Sequence, residues 1–178
     1  MLRFTHAIAV AALLGACATV PESLPLPPGG FELAGRVAVR SGKEAVSGQV
    51  FWRHSDEADD LIITSPIGQG IAHLSRERDV FRLVTADQRE YSAADAETLT
   101  EGALGWRLPL KGLPDWVQGR ASPGRSAEVR YDAQQRLLEL LQDGWRIDYE
   151  AFRDARPAKL RMSREDLQIR LTIDRWAR

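Results

Sequence analysis

The chain has 178 residues, 44% hydrophobic and 28% charged, with a formal net charge of -1. So large an apolar fraction at near-zero charge excludes a disordered chain, and the length suits one domain. The balance of 24 Lys and Arg against 25 Asp and Glu leaves no cationic excess for a nucleic-acid module, and a single cysteine excludes an intramolecular disulfide and a cysteine-based zinc cluster.

The first residues read as an export signal: Arg3, an apolar run from Ala7 to Leu14, then Leu14-Gly15-Ala16-Cys17. The run is far short of the ~20 residues a membrane-spanning helix needs, and small residues sit at the cleavage point. Leu-Gly-Ala-Cys resembles the bacterial lipobox, in which the cysteine thiol receives a diacylglycerol, the signal is cut before it and the new amino terminus is acylated. The alternative is an ordinary secretory signal with an incidental thiol, and an unpaired thiol is a liability in an oxidising compartment. Residues 1–16 are therefore read as a lipoprotein signal peptide and Cys17 as the lipidation site. Ala18 in the next position, rather than Asp, resembles the outer-membrane sorting choice. Residues 17–30 form the lipidated cysteine and a tether. Pro21, Pro25, Pro27, Pro28, Gly29 and Gly30 forbid a helix there, and thirteen residues at about 3.1 Å each would reach roughly 40 Å.

From residue 31 to 178 the pattern has period two, the signature of strands with one apolar and one wet face. Strands are predicted at Phe31 to Val39, Gln49 to His54, Asp60 to Ser65, Gly70 to Ser75, Val80 to Thr85 and Arg89 to Tyr91. Ser92 then caps a helix over Ala93 to Glu101 that Gly102 ends, and Pro114 opens a second short helix through Trp116 and Val117 to Gly119. Five more strands follow: Ala127 to Tyr131, Arg136 to Leu141, Trp145 to Glu150, Pro157 to Met162 and Leu167 to Asp174. Asp143-Gly144 is a two-residue hairpin signal, and Asp132 to Gln135 and Ser163 to Asp166 read as further reversals.

About eleven locally paired strands in ~145 residues must curl, so the fold class is mainly β, an open antiparallel barrel or half-barrel with a helical insert. The insert crowds Leu99, Leu104, Trp106, Leu108, Leu110, Leu113, Trp116 and Val117 together. That suits a lid over an apolar barrel mouth; a helix plugging an ordinary core fits the pattern equally.

Signals for an enzyme are mostly absent. His54 and His73 lie far apart without metal-ligand spacing, no Gly-x-Ser-x-Gly elbow appears, and acylation would occupy the only cysteine. Asp59-Asp60 and Glu165-Asp166 fit solvated turn carboxylates, and Gly68-Gln69-Gly70 lacks the third glycine of a dinucleotide loop. No cofactor or metal is implied. Two surface features carry more. In Ser65-Pro66-Ile67-Gly68-Gln69-Gly70 an isoleucine occupies a turn tip that is normally polar, either folded back on the core or presented as an apolar finger. The basic set Lys159, Arg161, Arg164, Arg170, Arg175 and Arg178, interleaved with acids, fits a solvated outer face or a headgroup or partner contact.

The order of several short motifs resembles the LolB family of outer-membrane lipoprotein receptors. They are Gly35-Arg36-Val37-Ala38, Val50-Phe51-Trp52, Ser65-Pro66-Ile67-Gly68, Tyr91 through Glu97, Leu104 through Leu110, Leu113 through Gly119, and Ile169 through Trp176. The resemblance implies an open antiparallel barrel with a helical lid over an apolar cavity. It implies a lipid-anchored protein of the outer membrane, facing the periplasm, that takes triacylated lipoproteins from a LolA-like carrier and inserts them into outer-membrane lipid. Each of the ~45 chain methylenes of such cargo costs about 0.8 kcal/mol in water, so free diffusion is closed. By the same resemblance Pro66, Ile67 and Gly68 form the membrane-delivery loop, although family members commonly carry Leu where this chain has Ile67. Inward residues Val37, Trp52, Ile147, Ile169 and Leu171 are expected to wall the cavity, with Leu99, Trp106, Leu113 and Trp116 in the lid. A monomer is expected. The rival expectation is a structural envelope lipoprotein with a filled barrel that binds no acyl chain.

Overall fold

A computed structural model describes residues 29–177. The expected signal peptide, Cys17 and most of the expected tether lie outside the described residues. The strands are β1 (Phe31–Ser41), β2 (Glu44–His54), β3 (Ala58–Thr64), β4 (Gly70–Glu77), β5 (Val80–Thr85) and β6 (Glu90–Ala93). Helices α1 (Ala96–Leu104) and α2 (Leu113–Trp116) follow, then β7 (Ala127–Tyr131), β8 (Leu137–Gln142), β9 (Trp145–Arg153), β10 (Arg156–Arg164) and β11 (Leu167–Ala177). All eleven strands join one antiparallel sheet in the order β6-β5-β4-β3-β2-β1-β11-β10-β9-β8-β7. The first and last strands meet in its middle, β6 and β7 are its two edges, and the helical insert carries the chain from one edge to the other. The barrel is therefore open, as the strand count and local pairing imply.

Alternation sets which face is dry. One inward row runs Leu33, Trp52, Leu61, Leu74, Leu83 and Tyr91 across six strands, each residue opposite the next. A second runs Val39, Ile169, Met162, Ile147 and Leu140 across the other half, and ends at Val129 of the edge strand β7, which is exposed. Directly opposed apolar side chains on one face are the unit of sheet stability, and each fully buried aliphatic contributes about 1.5–3 kcal/mol. Curvature is introduced locally. Between β1 and β11 the register slips at Ala34/Gly35, and a Cβ on Gly35 would lie 2.1 Å from the Thr172 carbonyl oxygen, so only glycine allows that bulge to close. The Asp143-Gly144 hairpin forms as predicted, both residues at positive φ (53° and 75°).

Several boundaries differ from the sequence expectation, most of them by one to three residues. Ser92 pairs with Arg82 within β6, and α1 begins three residues later than expected, at Ala96. Its cap is Asp95, whose carboxylate accepts the Thr98 amide at 2.9 Å, and Gly105, not Gly102, ends it with its N–H donated to the Glu101 carbonyl. Ser92 is taken up in the edge pairing with β5, so the cap falls to Asp95. Strand β2 also extends back to Glu44, because β1 continues to Ser41 and the two close on a tight turn.

Candidate functional site

The insert faces the concave side of the sheet. Beneath it Val37, Val50 and Trp52 from β1 and β2 face Trp106, Leu108 and Leu113 from the insert, and Leu33, Leu61, Ile63, Met162, Ile169 and Leu171 complete an entirely apolar wall. The cavity is about 30 Å³, room for one or two water-sized spheres. With no polar atom to hold water, such a space is dry. In this state the insert fills the concavity.

Of the residues expected to wall a cavity, Val37, Trp52, Ile169 and Leu171 stand around this space, and so do Trp106 and Leu113 of the expected lid. Ile147 is fully buried between Met162 and Leu140, away from it. Leu99 is buried in the core, and Trp116 is buried against Trp145. Leu61, Ile63 and Met162 were not singled out from sequence, although alternation puts Leu61 and Ile63 on the same face as Trp52 and Val50.

The two halves of the insert are held differently. Around α2 the bonds are polar and buried: the Trp116 indole N–H donates to Gln142 Oε1 at 2.9 Å, the same oxygen accepts the Ser122 amide at 2.8 Å, and the Gln142 amide donates to the Ser122 carbonyl at 3.0 Å. The Tyr149 hydroxyl, its pKa pushed up by burial, donates to the Trp116 carbonyl at 2.8 Å. Helix α1 and the segment to Leu108 lie instead on apolar contacts with β5 and β6, are tied internally by the Leu108 amide to Thr100 Oγ1 and an Arg107–Glu101 ion pair at 2.9 Å, and reach β10 through a part-buried Glu97–Arg164 pair at 3.4 Å.

Trp52 is fixed from behind by a buried ionic cluster that the sequence reading missed. Its indole N–H donates to Asp59 at 2.8 Å, and the same carboxylate accepts His54 Nδ1 at 2.7 Å and Arg76 Nε at 2.5 Å. Asp59 is 4% exposed, not a solvated turn carboxylate. Burial alone would raise its pKa, but bonds from His54, Arg76 and Trp52 outweigh that and hold it below the usual carboxylate range. Asp60 does face solvent, beside His73 at 2.6 Å. Among the described residues no group of three or more His, Cys, Asp or Glu is placed to hold a metal ion, and no helix is long and apolar enough to cross a membrane.

The loop between β3 and β4 is a three-residue hairpin turn. Pro66 sets the first corner, the Gly68 amide donates to the Ser65 carbonyl at 2.9 Å, and Gly68 takes φ +85°, where a side chain would be strained. The Ser65 amide then donates to the Gln69 carbonyl at 2.7 Å and the Gln69 amide to Ser65 Oγ at 3.1 Å, which closes the base. Ile67 is left at the tip, 82% exposed, the most exposed large apolar side chain among the described residues. It does not fold back on the core. The late basic residues are mostly paired: Lys159 and Arg161 share Glu150, Arg164 meets Glu97 of α1, and Arg175 approaches Glu32.

A family profile described as "Outer membrane lipoprotein LolB" matches residues 30–176. The chain is 41% identical to the outer-membrane lipoprotein LolB of Thiobacillus denitrificans over 99% of its own length and 98% of that protein's. It is 37% identical to the LolB of an Azoarcus species over 98% and 95% of the two chains. A crystal structure of a LolA superfamily protein from Nitrosomonas europaea has the same fold, with a TM-score of 0.53 at 10% identity, covering 85% of this chain and 87% of the other.

Proposed function

The chain belongs to the LolB family of outer-membrane lipoproteins, and from that membership and the geometry under the insert we propose that it accepts acylated lipoproteins from a periplasmic LolA-type carrier and releases them into the outer membrane. A role in lipoprotein localisation at the outer membrane follows from the family; the reading beyond it is mechanistic. The observation that carries it is the wholly apolar wall between sheet and insert. An acyl chain loses nothing by entering such a space, and a polar head cannot follow it.

At about 30 Å³ the space holds no acyl chain while the insert is seated. Entry therefore displaces Trp106 and Leu108 with the α1 half, which rests on apolar contacts, while the hydrogen-bonded α2 half stays on β8 and β9. The displaced side chains are replaced by methylenes, so the apolar area in water changes little and transfer stays near balance. No step needs a nucleotide: about 1.4 kcal/mol of preference for each acceptor over its donor biases a handover tenfold. Cys17 is the lipid anchor in this account, and Ile67, on its rigid turn, is the group that enters lipid when cargo is released.

A second reading is a structural envelope lipoprotein with a filled barrel, which the small cavity favours. A fluorescent fatty acid separates the two. The receptor reading expects saturable binding with quenching of tryptophan emission, since Trp52 and Trp106 line the space; no saturable binding would leave the structural reading standing.

A further inference from the structure

The point where the chain joins the sheet and the Ile67 loop lie at opposite ends of the same strands. Phe31 stands opposite His54, and His54 opposite Asp59 near the start of β3. Gly29 is at that end too, where a Cβ on it would lie 3.6 Å from the Asp56 carboxylate in the β2–β3 turn. The Ser65–Gly70 loop follows Thr64 at the far end of β3. At about 3.3 Å per residue from Asp59 to Thr64, plus half a loop and a lateral offset of two strands, Ile67 lies roughly 25 Å from Phe31.

This separation constrains how the protein meets its own bilayer. If the acyl groups on Cys17 and the side chain of Ile67 enter one leaflet, the chain from Ala18 to Gly30 must cover the length of the sheet. Thirteen residues rich in proline reach roughly 40 Å, enough to cover 25 Å with a moderate surplus.

We propose that the domain stands on the membrane that holds its anchor with the Ser65–Gly70 loop down and the Phe31 end of the sheet up, so that the number of residues between Cys17 and Phe31 decides whether Ile67 reaches lipid. The proposal rests on the reading of Cys17 as the anchor and Ile67 as the lipid-contacting residue. It makes that segment a ruler: its composition matters little and its length matters sharply. A short segment would hold the loop above the bilayer while leaving the space under the insert open to cargo.

The test uses the full lipidated chain in phosphatidylethanolamine/phosphatidylglycerol vesicles, with a triacylated lipoprotein supplied on a LolA-type carrier. Deleting residues 19–26 leaves five residues and a reach of about 16 Å, short of the requirement. Acceptance of cargo should be unchanged, and insertion into the same vesicle should fall at least tenfold. Quenching by bromolipids of the indole introduced by Ile67→Trp should be lost on the same deletion. Eight Gly and Ser residues in place of 19–26 should restore both signals. In the undeleted chain Ile67→Glu tests the underlying reading by itself. If Ile67→Glu slows insertion and the deletion does not, the orientation is wrong and the loop reading stands; if neither slows it, both are overturned.

Discussion

Replacing Ile67 by glutamate should separate acceptance of cargo from its delivery. The side chain is 82% exposed, so nearly all of its apolar surface is available to lipid. Fully burying an isoleucine stabilises by about 1.5–3 kcal/mol, and four-fifths of that range is centred near 2 kcal/mol. At 1.4 kcal/mol per decade this is a roughly thirty-fold loss of loop affinity for the bilayer, before the cost of bringing a carboxylate to lipid is added. Stability should hardly change. The turn is closed by backbone bonds and by Ser65 Oγ, none of which involves the Ile67 side chain, and surface changes of this kind stay within about 0.5 kcal/mol. The assay is transfer of labelled lipoprotein from carrier to receptor and then to liposomes, with urea unfolding beside it. Normal delivery by a normally folded Ile67→Glu protein would refute the reasoning, and a large loss of stability would show that the side chain is structural.

The cluster behind Trp52 and the insert above it give two further expectations. Asp59→Asn should cost about 3 kcal/mol at pH 7 by urea unfolding, because the partly buried Arg76 is left without its charge partner. The folded Asp59 pKa lies below its unfolded value near ~3.9, so its contribution is present above that pH and is lost as pH falls through the folded value. The parent protein should thus lose stability in the acid range with a slope that the Asn variant lacks; equal slopes would remove Asp59 from the account. Trp106→Ala, which opens the space under the insert, should cost about 3–5 kcal/mol yet bind a fluorescent fatty acid faster, as read by stopped-flow quenching. Unchanged binding rates in that variant would argue that the insert does not gate access.

Much of the fold was legible because alternation is a local signal: β5 and β7 have the predicted limits, and the Asp143-Gly144 turn needs only the two residues that tolerate its φ values. Helix α1 was misplaced because Ser92 and Asp95 are both good caps, and the choice between them depends on how far β6 pairs with Arg82 and Phe81, which is not local. Asp59 was misread for the same reason. Its partners His54 and Arg76 come from the neighbouring strands β2 and β4, and only register makes three surface-type residues into a buried cluster. At the site, inward alternation identified Val37, Trp52, Ile169 and Leu171, but Ile147 has the same alternation and lies elsewhere, since position around the curl is invisible in a period of two. Whether Ile67 folds back on the core was left open by the sequence; in the structure the turn shaped by Pro66 and Gly68 leaves it exposed.

The most direct measurement mixes the Cys17→Ala soluble domain with a purified complex of LolA-type carrier and triacylated lipoprotein, then separates the two proteins and asks which one holds the cargo. The account predicts that cargo moves to this protein without nucleotide, and that a prebound fatty acid competes with it. Cargo remaining on the carrier after separation, with both proteins folded, would contradict it.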